Sequence, residues 1–349
     1  MGFNRNIKME FKINGKIVHS VEELNSEVTP EFAKFVCEWF SESDYMTAQT
    51  SGSTGTPKTI QLLKNDMRAS ARMTNAFFNI NPTSTFLLSL SPNYIAGKMM
   101  IVRWLEAGAE MIEQKPSSNP LQQPLQSRIT LSAMVPSQVV NILNDSTSLQ
   151  QLSKIENIII GGAPLDFATE KQISETSVNA YATYGMTETL SHVALRKIGT
   201  DKEYFALNGV TFEQDSRECL VINVPHLSVK RLITNDIVTL TDSTHFIWRG
   251  RYDNVINSGG VKIFPEEIEK LIEPYISQRF YIIGTPDFVW GEVCTLVIEG
   301  EEWSREKQQN LLMQLKEVLP KHKAPKQIKF LPQFAETISG KVKRVVNFN

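Results

Sequence analysis

Cysteine is scarce in this 349-residue sequence: Cys37, Cys219 and Cys294 lie far apart and form no short-spaced pair. An odd, scattered set argues against a disulfide framework or a cysteine zinc site and leaves free thiols as the expectation. The five histidines are equally dispersed, with no pair spaced for a helical metal site. Long apolar runs are missing too. Stretches such as Ile158 to Ile160 fall far short of the ~20 residues a membrane helix needs. The early segment Phe11 to Ile17 is broken by charge and glycine, unlike a signal peptide, so a cytoplasmic chain without a membrane span is expected. Neither sign of charge dominates. With 36 Lys+Arg against 38 Asp+Glu the net charge is -2, and no bias toward nucleic acid shows.

What is present is an ordinary globular composition, 41% hydrophobic and 21% charged, in a chain long enough to favour two packed units over one. From about Thr85 short apolar runs alternate with longer amphipathic stretches: Phe86 to Leu90, Ile129 to Met134, Ile155 to Ile160 and Val178 to Tyr181. This is an α/β pattern, and loops at the ends of its parallel strands are where such folds bind ligands. After Gly209 the runs become close-set and β-like, at Cys219 to Val224, Leu232 to Ile233 and Phe246 to Trp248. Beyond Gly250 a compact α+β unit follows. In it Pro265, Glu266 and Glu267 suit a helix start, with Ile268, Leu271 and Ile272 as its apolar face.

Two stretches carry chemistry. Thr50-Ser-Gly-Ser-Thr-Gly-Thr-Pro-Lys58 interleaves hydroxyls with glycines and ends in a lysine, so backbone N–H groups, hydroxyls and a cation can surround a polyphosphate. Its spacing is not that of a Walker loop, and a mobile surface turn is the plainer alternative. Tyr181-Ala-Thr-Tyr-Gly-Met-Thr-Glu-Thr189 supplies an aromatic face at Tyr184, a hydroxyl at Thr187 and a carboxylate at Glu188. Those groups suit a purine, an α-phosphate and magnesium respectively; a buried aromatic beside a capped helix is the alternative.

With Gly250-Arg-Tyr-Asp-Asn-Val-Ile-Asn-Ser-Gly-Gly-Val-Lys-Ile-Phe-Pro-Glu-Glu-Ile-Glu269 and Ser339-Gly-Lys-Val-Lys-Arg344, these stretches occur in one order. That set resembles the acyl-adenylate-forming superfamily of acyl-CoA synthetases, luciferases and peptide-synthetase adenylation domains. The likeness spans roughly residues 45 to 345, and ordered motifs are more specific together than singly. It implies a large N-terminal domain of βα-layered sheets with a β-rich subdomain over residues 1–250. A small α+β C-terminal lid would cover 251–349, hinged near Asp253. It implies ATP, coenzyme A and a small carboxylic acid as substrates, with Mg2+ on Glu188. Ser51, Ser53, Thr54 and Lys58 would hold the β- and γ-phosphates. Gly161, Gly162 and Ala163 would line the adenine and acyl pockets, Asp236 would grip the ribose and Arg251 would help hold the nucleotide. Lys341 would reach the reacting carboxylate and α-phosphate, and Gly259 and Gly260 would admit the pantetheine arm.

Within the superfamily the Gly-Gly-Ala loop, the run from Tyr184 to Ser191 and the Gly97 to Arg103 spacing look most like the o-succinylbenzoate-CoA ligases of menaquinone biosynthesis. That likeness implies that Arg103 meets a second carboxylate, a task its planar fork suits. The other reading makes Arg103 a helix-surface residue packing its stem. His192, four residues after Glu188, would face the acyl pocket if that stretch is helical, or be a satisfied structural histidine.

The sequence departs from the superfamily's pattern in three places. Its phosphate loop begins near residue 50, earlier than in full-length relatives, which implies a reduced N-terminal subdomain. Tyr94 stands where a gating histidine is usual, and Asn235 replaces the glycine before the ribose-binding acid, as the residue most tolerant of glycine-like angles. Rival readings are a ligase for another acid, a carrier-loading adenylating enzyme, a non-catalytic nucleotide-binding relative, and a phosphotransferase that yields ADP.

Overall fold

The computed structural model describes residues 10–49, 59–336 and 342–344. The phosphate-loop candidates Ser51, Ser53, Thr54 and Lys58, and the catalytic candidate Lys341, lie outside the described residues.

One thirteen-stranded sheet organises the larger part of the chain. Its middle is parallel: Glu110–Glu113, Thr85–Leu88, Ile129–Met134, Ile155–Ile160 and Asn179–Gly185 lie side by side in that order. These strands are rich in Ile, Leu and Met, and their nearly continuous burial is what a parallel sheet covered on both faces requires. The helices between them begin where local chemistry dictates. Pro136 opens Pro136–Leu143, while Asp166 caps Phe167–Ser174 by accepting the Thr169 N–H at 2.7 Å.

At Asn179–Gly185 the pairing turns antiparallel. His192–Lys197, Tyr204–Ala206, His245–Arg251, Arg231–Asp242, Cys219–Asn223 and Thr211–Gln214 then extend the same sheet to its edge. The β-rich stretch is therefore continuous with the βα-layered sheet by hydrogen bonds.

The C-terminal unit has a sheet of its own, in which Phe280–Asp287, Gly291–Glu299 and Gln327–Leu331 pair beside the hairpin Ile256–Ser258 and Val261–Ile263. Against it packs the helix Pro265–Ile272, which begins with proline and two carboxylates and buries Ile268 and Ile272. Leu271, expected on that buried face, is 55% exposed. The buried stripe runs through Pro265, Ile268 and Ile272, which leaves Leu271 on its solvent edge. Cys219 and Cys294 are buried free thiols and Cys37 is half-buried. No helix among the described residues is long and apolar enough to cross a membrane.

Candidate active site

The expected residues collect beyond the carboxyl ends of the parallel strands. Gly161, Gly162 and Ala163 follow Ile155–Ile160; Thr187 and Glu188 follow Asn179–Gly185 on the 3-10 turn Thr187–Thr189. Here the strand pairing changes from parallel to antiparallel.

Beside this change Tyr184 Oη donates to Asp236 Oδ2 at 2.7 Å. Asp236 is 8% exposed, and two further donors reach its other oxygen: Trp248 Nε1 at 3.3 Å and Arg251 Nη1 at 3.4 Å. Arg251 is the cross-strand partner of Asp236, so strand register delivers the cation to the carboxylate. Burial, and then the charge of Asp236, hold the Tyr184 phenol above its ordinary pKa, so it stays protonated and donates. The Tyr184 ring packs edge-on against Phe246 and Tyr204. Asn235 lies within the strand Arg231–Asp242 and has no positive φ, so the expectation of a glycine-like angle there does not hold; instead the ladder to Cys219–Asn223 shifts register between Ile233 and Ile237, an irregularity that contains Asp236.

Arg103 is 1% exposed, on the core-facing side of the helix Ile95–Ala107, which corrects the surface reading. Its Nη2 donates to Ser191 Oγ at 2.6 Å and its Nη1 approaches Met100 Sδ at 3.5 Å, while Nε has no partner. No carboxylate pairs with it among the described residues. Burial alone pushes its pKa down to about 9, so the group is still a cation at neutral pH.

His192 does not stand on a helix, as one expectation required. The chain turns after Thr189 and His192 opens the strand His192–Lys197, 5% exposed. Thr74 Oγ1 donates to the Ser70 carbonyl and so accepts from His192 Nε2 at 3.1 Å. Ser191 Oγ, which already accepts from Arg103, has its proton free for His192 Nδ1 at 3.3 Å. This network assigns His192 as the neutral Nε2–H tautomer. Burial, then the Arg103 charge, lower its pKa well below the ordinary value.

Glu188 is exposed and makes no hydrogen bond or ion pair among the described residues. No group of three potential ligands forms a metal cage among those residues. A lone carboxylate still fits Mg2+, which commonly takes one or two carboxylates and the phosphates of a nucleotide. Tyr94, 64% exposed, sits at the start of the helix Ile95–Ala107.

Asp253 lies on the 3-10 turn Tyr252–Asn254 between the two sheets and accepts from Arg251 Nη2 at 3.1 Å. Beyond it the units meet through ion pairs, Glu267 with Arg249 at 2.7 Å and Lys262 with Glu218 at 2.7 Å, and Lys323 of the C-terminal unit also reaches Glu267 at 3.5 Å. Gly259 and Gly260 form the hairpin turn between Ile256–Ser258 and Val261–Ile263, both with positive φ. The close approach at Gly259 is made by the Trp290 ring, 2.6 Å from where a Cβ would stand. Next to Lys341, Val342 pairs with Glu336, and Arg344 forms an ion pair with Glu269 at 2.7 Å.

Sequence reasoning left three site residues without a role: Ser191, Trp248 and Thr74. Ser191 lay in a stretch already singled out. Trp248 and Thr74 enter only through strand curl and helix packing.

The profile of the AMP-binding enzyme family matches residues 16–216. Among curated proteins, the 2-succinylbenzoate–CoA ligase of Enterococcus faecalis is 27% identical over 327 residues, 84% of this chain and 67% of that protein. The Lactococcus lactis protein of the same name is 28% identical, over 84% of this chain and 68% of its own. The chain thus spans about two thirds of the length of these relatives. Among solved structures, an acyl-CoA synthetase (AMP-forming)/AMP-acid ligase II-like protein from Dyadobacter fermentans is 34% identical, with a TM-score of 0.65 over 93% of this chain and 95% of that one. The o-succinylbenzoate CoA synthetase of Bacillus subtilis, solved with its acyl-adenylate intermediate, is 20% identical with a TM-score of 0.69, over 85% of this chain and 67% of that one, and speaks to the fold.

Proposed function

This chain belongs to the AMP-binding enzyme family, and we propose that it is an ATP-dependent acid–thiol ligase acting on o-succinylbenzoate in the cytoplasm. The acid's carboxylate attacks the α-phosphorus of ATP, releasing diphosphate and leaving an acyl-adenylate. The thiol of coenzyme A then attacks the acyl carbonyl; the carbon–oxygen bond breaks and AMP departs with one former carboxylate oxygen. This fits the reaction named for the curated relatives.

The observation that carries the choice of acid is Arg103, a buried cation without a carboxylate partner among the described residues. An unpaired buried charge is costly, and a carboxylate offset by a guanidinium fork is its natural complement. In this reading the Arg103 fork takes the second carboxylate of a dicarboxylic acid.

On the nucleotide side Asp236 accepts from the ribose hydroxyls, held by Tyr184, Trp248 and Arg251. Gly161, Gly162 and Ala163 line the adenine and acyl pockets, and Thr187 binds the α-phosphate. Ser51, Ser53, Thr54 and Lys58 hold the β- and γ-phosphates, and Lys341 reaches the reacting carboxylate. Mg2+ on Glu188 would supply positive charge where two anions meet. Residues 251–349 act as the mobile lid, Asp253 as its hinge, and Gly259 and Gly260 beside the pantetheine path. A panel of acids in a diphosphate-release assay tests the assignment. Preference for o-succinylbenzoate over benzoate supports it, and preference for a monocarboxylic acid overturns it.

A further inference from the structure

Ser191 belongs to two parts of the site at once. Its hydroxyl accepts from Arg103 Nη2 at 2.6 Å, while its carbonyl lies 2.7 Å from the hydroxyl of Thr189, which also accepts the Met186 N–H at 2.9 Å. Thr189 closes the turn that carries Glu188. Between Thr189 and Ser191 stands Leu190 at φ +65°, a conformation a bulky residue rarely adopts, so the turn is strained and needs outside contacts to persist. It has no slack on its return leg, since the Ser191 carbonyl comes within 2.3 Å of where a Cβ on Gly185 would lie.

We infer that Ser191 couples recognition of the acid to binding of the nucleotide, an inference that rests on the assignment of Arg103 to the acid's second carboxylate. A carboxylate arriving at Arg103 competes for the donor that holds Ser191, and the strained turn bearing Glu188 responds. Whichever ligand first shifts the turn bears the conformational cost, and the second ligand does not. The two ligands therefore bind with positive cooperativity, and by linkage each raises the affinity of the other by the same factor.

The test is titration calorimetry with magnesium-loaded α,β-methylene-ATP, which cannot be cleaved at the α-phosphorus, in the presence and absence of o-succinylbenzoate. For the unaltered chain the acid is expected to tighten nucleotide binding by about 5-fold or more, the lower end of typical coupling. In Ser191→Ala each ligand still binds alone and the factor falls to about 1, the value for uncoupled sites; Ser191→Thr, which keeps the hydroxyl, restores coupling. Should Ser191→Ala not fold, Ser191→Cys takes the same test. A merely structural serine would weaken both ligands and leave the factor intact, which overturns the inference, as does absence of coupling in the unaltered chain. If o-succinylbenzoate binds without coupling, this inference alone falls; if it does not bind, the assignment of the acid falls with it.

Discussion

Tyr184 Oη lies 2.7 Å from Asp236 Oδ2, although their strands stand four positions apart in the sheet. In a flat sheet that separation would be about 19 Å, so the sheet must curl to bring them together. Asp236→Ala leaves the Tyr184, Trp248 and Arg251 donors without their shared acceptor. It should lower stability by about 1–3 kcal/mol and raise the KM for ATP at least about 10-fold, the scale of losing a charged acceptor. Denaturant melts and ATP titrations read the two effects separately, and an unchanged KM would remove Asp236 from the nucleotide site.

Arg103→Ala should depress use of o-succinylbenzoate far more than use of a benzoate lacking the second carboxylate, by about 100-fold in kcat/KM for the former. Arg103→Lys, which keeps the charge and loses the fork, should fall between. Steady-state kinetics on both acids checks this; equal losses would show that Arg103 serves the fold and not selection of the acid.

How much of this was legible in the sequence differs by element. The strands Ile129–Met134 and Ile155–Ile160 and the start of the helix at Pro136 follow from apolar runs bounded by turn and cap residues, because local patterning decides buried parallel strands and helix starts. The family resemblance assigns Asp236 and Arg251, with Tyr184, to one nucleotide, and the structure joins the three by hydrogen bonds. What patterning could not reveal was the burial of Arg103, because a single arginine in an apolar helix has the same sequence context whether it faces water or core. Nor could it reveal the turn after Thr189 that puts His192 on a strand. That turn depends on Leu190 adopting a left-handed φ, which no propensity favours.

Glu188→Gln should slow acyl-adenylate formation by about 100-fold, since the amide is nearly isosteric but a poor magnesium ligand. Because Glu188 is exposed and without a partner among the described residues, stability should stay within about 0.5 kcal/mol of the unaltered chain. Acid-dependent exchange of diphosphate into ATP measures the first and thermal melting the second. Normal exchange would reassign the metal site.

His192 is buried neutral, against Arg103 on one side and the Ser191 and Thr74 hydroxyls on the others. Its pKa is lowered in the folded chain, so below about pH 6.5 the unfolded chain binds the extra proton and the folded chain does not. Stability should therefore fall as pH drops below that value, with a contribution of up to about 1.4 kcal/mol per pH unit from this residue. His192→Gln should remove that part of the slope. Denaturation midpoints from pH 5 to 8 for both proteins would show it, and parallel pH profiles would contradict it.

The central claim, activation of the acid through its adenylate, is tested most directly by following oxygen. With o-succinylbenzoate carrying oxygen-18 in its carboxylates, plus ATP, magnesium and coenzyme A, the account predicts o-succinylbenzoyl-CoA together with AMP that holds one labelled oxygen, and diphosphate that holds none. Unlabelled AMP, or ADP with label in inorganic phosphate, would contradict it.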